Sequence, residues 1–158
     1  LLMAADTMKA GVEVLQRGIP KEDLERTKRG RIVIGTVEGD IHDLGKNIVA
    51  AMLTASGFEV IDIGKDVRPE VFVNKAKEVD ADIIALSALM TTTMPYQRHV
   101  IEELKYQGVR DRFLVVVGGG PVTVDWAESI DADGFAENAS RAVEVVKRLM
   151  GRKLSGGS

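Results

Sequence analysis

One histidine of this chain lies where it could bind a metal ion. His42 follows an apolar, β-rich run and comes two residues after Asp40. A histidine coordinates a soft or borderline metal well when its other ring nitrogen donates to a carboxylate, because that hydrogen bond fixes the tautomer and raises the basicity of the ligand. Asp40 has the spacing to be this carboxylate. A loop histidine is more often exposed or structural, however, and Asp40 or Asp43 could equally cap a helix. The pair by itself leaves both interpretations open.

Two further loops favour a binding site for a bulky ligand. Residues 87–95 follow a predicted strand, are rich in hydroxyl groups and lead into a predicted helix, and residues 118–120 are three consecutive glycines before Pro121. Missing side chains let a large ligand approach the backbone, and Gly45 has the same effect close to His42. A tight turn before a helix explains one glycine well but explains three in a row poorly.

The elements that must position these loops follow a repeated strand–helix pattern. We predict five strands, at Ile32–Val37, Phe58–Ile63, Asp82–Leu86, Phe113–Val117 and Gly134–Ala136. The first and fourth are nearly all apolar, as expected for parallel strands that are covered on both faces. Asp43 is predicted to cap the first helix, and Pro69, Pro95 and Pro121 are predicted to open the next three. This alternation predicts a flavodoxin-like, doubly wound α/β sheet with the strand order 2-1-3-4-5.

The predicted topology brings the three loops together. Sheets of this kind bind ligands outside the carboxyl ends of their strands, at the switch point between strands 1 and 3. The loops that follow Val37, Leu86 and Val117 should therefore meet at one edge of the sheet. The sequence thus predicts a ligand site built from the three segments whose residue types suggested chemistry.

Composition limits the classes of function. The chain has 158 residues, of which 45 % are hydrophobic and 28 % are charged, the balance of an ordinary globular domain. The formal charge of −3 argues against nucleic acid as a partner, because phosphate binding needs a basic face. The absence of cysteine excludes disulfides, thiolate zinc sites and iron–sulfur clusters. No apolar run approaches the roughly 20 residues that span a bilayer, so we expect a cytoplasmic protein without a membrane partner.

Three motifs together resemble the signature of cobalamin-binding domains. They are Asp40-x-His42-x-x-Gly45, Ser87-x-Leu89 and Gly118-Gly119. They occur in the order that the family has, on the predicted loops, and the similarity covers residues 30 to 150. Each motif is loose, but their joint occurrence is specific. Residues 40–47 resemble methionine synthase and the corrinoid proteins of methylamine, methanol and aryl-ether methyltransferases more than they resemble adenosylcobalamin mutases.

The resemblance implies a corrinoid (vitamin B12-type) cofactor whose nucleotide tail has left the cobalt and lies in a deep slot of the sheet. His42 would be the metal ligand, Asp40 would bond to His42, and Thr93, where relatives carry a serine, would extend this relay to solvent; these three would act in catalysis. The residues that the resemblance places at the cofactor are Gly39, Asp40, Ile41, His42, Asp43, Gly45, Ser87, Leu89, Thr91, Thr93, Gly118, Gly119, Gly120 and Ala139.

The implied function is that of a methyl carrier, a subunit of a cobalamin-dependent methyltransferase rather than a complete enzyme. In the methylated form of its cofactor, such a carrier shuttles a methyl group from a donor-specific methyltransferase to an acceptor methyltransferase that uses tetrahydrofolate or a thiol. A reductive activase is a further candidate partner.

The resemblance also suggests a domain organisation. Residues 1–28 combine one amphipathic helix with a charged linker, and this helix resembles the last helix of the four-helix cap that precedes the domain in methyl carriers. We expect the corrinoid-binding domain at residues 29–152, and a flexible tail at residues 153–158.

Two kinds of alternative remain open. The chain could be another B12 module, either an adenosylcobalamin mutase domain or a B12-dependent sensor. From a different class, it could be a flavodoxin-like signalling receiver in which Asp40 or a neighbour accepts phosphate. Receivers need a lysine after the last strand, where this chain has Glu137 and Asn138, so the pattern disfavours the receiver.

Overall fold

A computed structural model describes residues 29–156. The predicted cap helix and linker of residues 1–28 lie outside this part of the chain, as do residues 157 and 158. Within it the strands are β1 (Arg31–Thr36), β2 (Glu59–Asp62), β3 (Ile83–Ser87), β4 (Leu114–Gly118) and β5 (Gly134–Ala136). The α-helices are α1 (Leu44–Ala55), α2 (Pro69–Val79), α3 (Pro95–Tyr106), α4 (Val124–Ser129) and α5 (Ala139–Gly156), and a short 3-10 helix lies at Arg110–Arg112.

The five strands form one parallel sheet in the order β2-β1-β3-β4-β5. This is the predicted flavodoxin-like order, so the predicted fold is confirmed. The register aligns the carboxyl ends of four strands, because Thr36 pairs with Ser87, Ser87 with Gly118, and Gly118 with Ala136. The loops that follow these strands consequently begin side by side at one edge.

Both faces of the sheet are buried, which explains why its central strands are almost wholly apolar. On one face, Val33 and Ile84 pack in a hydrophobic cluster with Phe72 of α2 and Leu104 of α3. On the other face, a second cluster joins the strands to α1 and α5. Burial of one such large aliphatic or aromatic side chain contributes roughly 1.5–3 kcal/mol, so the two clusters hold the helices in place on the sheet.

One helix start and one helix cap differ from the sequence-based expectation. Helix α4 begins at Val124 rather than at Pro121, because Thr123 caps it and accepts a hydrogen bond from the Trp126 backbone N–H at 3.1 Å. Pro121 lies instead in a turn after the glycines. Asp43 does occupy the position before α1, but its side chain makes no capping hydrogen bond there. Pro121 and Asp43 thus lie close to the starts of α4 and α1, but the predicted capping hydrogen bond of Asp43 is not formed.

Helix α5 continues past the predicted end of the domain at residue 152 and reaches Gly156. The Nζ atom of Lys153 donates to Asp82 Oδ1 at 2.7 Å, a contact that joins α5 to the segment before β3. Within residues 29–156, no helix is both long and apolar enough to cross a membrane.

Candidate functional site

A cavity of about 780 Å³ opens at the edge where the strands end. Helices α1 and α5 form its sides, and its floor is made by strand residues that are mostly small or apolar, among them Ile34, Ala85, Val116 and Ala136. A volume of this size is typical of sites for sizeable organic ligands. The cavity therefore provides a deep and largely apolar slot at the predicted ligand edge.

The mouth of the cavity carries an unusual apolar surface. Ile41, Leu44, Ile48 and Leu89 all line the cavity, and each is between 46 % and 75 % exposed. Large apolar side chains that are exposed together mark a binding surface. The helical face of α1 that contains Leu44 and Ile48 is thus not a core face along its whole length: Leu53 at its far end is buried, whereas the first two turns face the cavity.

His42 lies at this mouth, with its two ring nitrogens in different surroundings. Its Nδ1 is 2.8 Å from Asp40 Oδ1, and its side chain is about half exposed. Because Nδ1 is engaged by the carboxylate, Nε2 is the ring nitrogen left for a ligand. The backbone is held as well, since the Thr36 hydroxyl donates to the His42 carbonyl at 2.9 Å. The histidine is therefore oriented by both its ring and its main chain.

Asp40 is fully buried behind His42 and accepts four hydrogen bonds. Oδ1 accepts from the ring and the backbone N–H of His42, at 2.8 and 3.1 Å. Oδ2 accepts from the Leu89 backbone N–H and from the Thr93 hydroxyl, both at 2.7 Å. Burial alone would raise the pKa of Asp40, but the hydrogen bonds from Leu89, Thr93 and His42 outweigh it and lower the pKa to about 2. The carboxylate therefore stays ionised and keeps its hold on the imidazole.

The low pKa of Asp40 predicts a specific loss of stability in acid. The pKa is lowered from 3.8 to about 2 on folding, so the stabilisation is complete above pH 3.8 and disappears as the pH falls through about 2. It amounts to about 2 kcal/mol. We expect the free energy of unfolding, measured by urea titration, to fall over this range by about that much more in the wild type than in Asp40→Asn. Asp111→Asn, at an exposed aspartate, is the control and should follow the wild type. Parallel curves for wild type and Asp40→Asn would contradict the prediction.

The loop after β2, which was not predicted to belong to the site, forms hydrogen bonds with the loop that carries His42. The Gly39 backbone N–H donates to Asp66 Oδ1 at 2.8 Å, and the Asp66 N–H donates to the Asp40 carbonyl at 3.0 Å. Asp66 has a φ of 53°, a conformation that aspartate tolerates better than most residues do. This reciprocal pair fixes the backbone that carries Asp40 and His42. An isolated aspartate after β2 gave no signal in the sequence for such a contact.

The glycines have two different roles. A Cβ atom added to Gly119, whose φ is 128°, would collide with the Ala88 carbonyl oxygen, so this glycine permits two backbone segments of the protein to meet. A Cβ atom added to Gly45 would meet no described atom within 4 Å, and Gly45 lines the cavity. The missing side chain of Gly45 therefore adds to the open space of the cavity, while Gly119 is needed by the fold itself.

A buried amide joins the other two loops of the site. The Gln97 side chain donates to the Leu86 and Gly118 carbonyls at 3.0 and 3.1 Å, and it accepts from the Trp126 indole N–H at 2.9 Å. These carbonyls lie at the ends of β3 and β4. Gln97 thus bridges the ends of β3 and β4. Its position in the third predicted helix gave no indication of this role.

Most residues that the sequence analysis placed at the ligand do come together. Those that line the cavity are Ile41, His42, Asp43, Gly45, Ser87, Leu89, Gly118, Gly119, Gly120 and Ala139. Four predicted residues do not line it: Asp40 and Thr93 lie buried behind the histidine, and Gly39 and Thr91 are exposed outside.

The deeper residues of the cavity were not predicted from the sequence. These are Ile34, Lys46, Val49, Leu53, Ala85, Val116, Ala136, Ala142 and Val146 among others. Ala85 carried a usable signal, because it follows two isoleucines and precedes a leucine in β3.

The geometry argues against Asp40 as a phosphate-accepting residue. A receiver must present its carboxylate to a phosphate donor, whereas Asp40 is fully buried with both oxygens engaged by the protein. Among the described residues, no group of three or more His, Cys, Asp or Glu side chains could hold a metal ion. Any metal at His42 would thus take its further ligands from elsewhere.

Comparison with known families and proteins agrees with this geometry. Residues 30–145 match the family described as the B12 binding domain. Dimethylamine corrinoid protein 2 of Methanosarcina acetivorans is 58 % identical over 150 residues, which cover 95 % of this chain and 69 % of that protein.

Two solved structures are similar over most of this chain. A cobalamin-binding protein from Desulfitobacterium hafniense DCB-2 has a TM-score of 0.74 and 43 % identity over 77 % of this chain. The methanol:cobalamin methyltransferase complex MtaBC of Methanosarcina barkeri contains a chain with a TM-score of 0.80 and 32 % identity over 95 % of this one. The matched regions span 59 % and 56 % of those two solved chains.

Proposed function

This chain belongs to the B12-binding domain family, and from that premise we propose that it is a methyl carrier that presents a corrinoid on His42 to methyltransferases. The observation that carries the proposal is the arrangement of His42, whose Nδ1 is bonded to the buried carboxylate of Asp40 while the ring remains half exposed at the cavity mouth. A histidine in this state offers Nε2 to a metal outside the protein surface.

The residues present fit a corrinoid in three respects. The cavity of about 780 Å³ can take a nucleotide tail, and the exposed apolar side chains around its mouth can cover the face of a macrocycle. The donor set fits as well, because a lone histidine suits a metal whose other ligands a macrocycle supplies. We therefore propose that the tail lies in the cavity and that His42 replaces the tail base as the lower ligand.

In this proposal, the residues of the chain bind the corrinoid and orient His42 towards its metal. When bound, a corrinoid supplies a cobalt centre that can accept a methyl group and release it. Asp40, held ionised by its hydrogen bonds, keeps the His42 proton on Nδ1 and leaves the lone pair of Nε2 free for coordination. The Thr93 hydroxyl supports Asp40 from the other side at 2.7 Å. Its extra methyl group, relative to a serine, leaves this contact in place.

The relatives suggest where the methyl group comes from. One is named as a dimethylamine corrinoid protein, and another structural neighbour is part of a methyltransferase complex. We propose a donor methyltransferase for dimethylamine as one partner, and an acceptor methyltransferase for a thiol or tetrahydrofolate as the other. A reductive activase would complete the system.

The proposal predicts selective methyl capture. The holoprotein, loaded with cobalamin and chemically reduced, is incubated with a dimethylamine-specific methyltransferase and methyl-labelled dimethylamine, or with a methanol-specific methyltransferase and labelled methanol. We expect the label to stay with the carrier after gel filtration in the first mixture only. Label acquired from methanol, alone or in addition to dimethylamine, would overturn the choice of donor, and a carrier that acquires no label in either mixture would contradict the carrier role.

A further inference from the structure

One wall of the cavity contains a buried lysine that no part of the proposed function uses. Lys46 lies in the first turn of α1, and only 3 % of its side chain is exposed. Lysine is almost never buried unless it is paired. A positive charge in the first turn of a helix is also opposed by the helix dipole. Since its burial and the helix dipole both disfavour an ammonium group at this position, a tertiary contact must account for it.

That contact is an ion pair with Asp62 at the end of β2. The Nζ atom of Lys46 is 2.7 Å from Asp62 Oδ1, 2.9 Å from Asp62 Oδ2 and 2.7 Å from Asn47 Oδ1. The ammonium group therefore has acceptors for its protons within the protein. Asp62 is itself oriented, because its Oδ1 accepts from the Gly64 backbone N–H at 2.9 Å. The pair ties the start of α1 to the edge of the sheet.

This tie matters because Lys46 is the buried residue in the first turn of the helix. Within the described helix α1, only Lys46 and Leu53 are buried. Leu44 and Ile48 turn towards the cavity and are exposed. Apolar packing of Leu53, Val49 and Ala50 thus anchors the middle and the end of α1, whereas the buried contact of its first turn is the ion pair of Lys46.

We propose that Lys46 and Asp62 are a positioning pair that sets the width of the slot for the nucleotide tail. The pair acts through α1, since its own polar atoms are engaged with each other. The inference rests on the proposed function, because it takes the cavity to be the place of the tail. It predicts that breaking the pair weakens recognition of the tail but leaves recognition of the corrin ring and its ligation by His42 intact.

The test compares two cobalt(III) probes, aquacobalamin, which has the nucleotide tail, and diaquacobinamide, which lacks it. Lys46→Met leaves Asp62 at a partly hydrated surface, and we expect it to weaken cobalamin binding roughly tenfold while cobinamide binding changes less than about twofold. Asp62→Ala should cost more, because it leaves a buried ammonium group with Asn47 as its remaining acceptor. The double variant should return to the level of Lys46→Met, since the charge that lost its partner is gone.

Lys105→Met is the matched control, because Lys105 forms an exposed pair with Asp131 at 3.0 Å away from the cavity. It should leave both affinities unchanged. Equal losses for the two probes, or unchanged cobalamin binding in Lys46→Met, would overturn the positioning role. Circular dichroism checks the fold, and if Lys46→Met or Asp62→Ala unfolds, Asp62→Asn carries the same comparison with an oxygen acceptor retained. A wild-type protein that binds neither probe would contradict the proposed function instead.

Discussion

Gly45→Leu is expected to abolish corrinoid binding while it leaves the apoprotein at least as stable as the wild type. Gly45 is helical, lines the cavity, and a Cβ atom there would meet no described atom within 4 Å. Replacing a helical glycine by leucine favours the folded state by up to about 1 kcal/mol. The same side chain would project into the space proposed for the cofactor, where extra volume is poorly tolerated. The two effects have opposite signs, so loss of binding could not be attributed to loss of fold.

Equilibrium titration with aquacobalamin and urea unfolding of the apoprotein measure the two effects separately. We expect cobalamin affinity to fall at least about a hundredfold. Gly151→Leu is the matched control: Gly151 is also helical, has open space at its Cβ position and does not line the cavity. It should change stability in the same direction and leave binding intact. Cobalamin affinity in Gly45→Leu within about threefold of the wild type would place the ligand elsewhere.

The glycines of this site illustrate what could be predicted from the sequence and what could not. The run from Gly118 to Gly120 was predicted to lie at the carboxyl edge of the sheet, and it does line the cavity there, because strand order follows from apolar runs and the turn residues between them. Its physical role could not be read from sequence, since the close approach of Gly119 to the Ala88 carbonyl is a contact between two loops. For Gly45 the expectation of open space came from its position close to His42, and its Cβ position does border the cavity with no described atom within 4 Å.

Other contacts of the site could not be predicted from the sequence for the same reason, because they join separate elements of the fold. Lys46 and Asp62 are 16 residues apart and lie in different elements, so their pairing depends on how α1 crosses β2. Local rules also competed: Pro121 is a reasonable helix start, but Thr123 offers a side-chain acceptor and the helix begins there. The spacing of apolar residues and the residues typical of turns and helix starts therefore predicted the sheet order and the convergence of the three loops at one edge. The depth of the cavity and the hydrogen bonds that orient His42 depend on contacts between elements, which these patterns do not predict.

The other large effect is expected at His42, and its readout is the electron paramagnetic resonance spectrum of the cobalt(II) holoprotein. If Nε2 of His42 is the lower ligand, its nitrogen nucleus splits the cobalt signal. His42→Gly should remove this splitting completely, while binding weakens only in part because the tail contacts in the cavity persist. Added imidazole should restore the splitting, since the substitution leaves space for it beside Asp40. Asp40→Asn should keep the splitting but weaken coordination, by roughly 10–100-fold if it behaves like other groups that orient a metal ligand.

Isotope labelling makes the assignment of this nitrogen unambiguous. The chain has two histidines, and the second, His99, packs edge-on against Tyr96 with ring centroids 5.2 Å apart and does not line the cavity. In protein grown with ¹⁵N-histidine, a ligating imidazole turns a three-line pattern into a two-line pattern, whereas the cofactor's own base would keep three lines. His99→Gln should retain the two-line pattern and His42→Gly should lose it. A pattern that does not respond to histidine labelling would show that the cofactor's base remains on cobalt, and a labelled pattern that survives in His42→Gly would exclude His42 as the ligand.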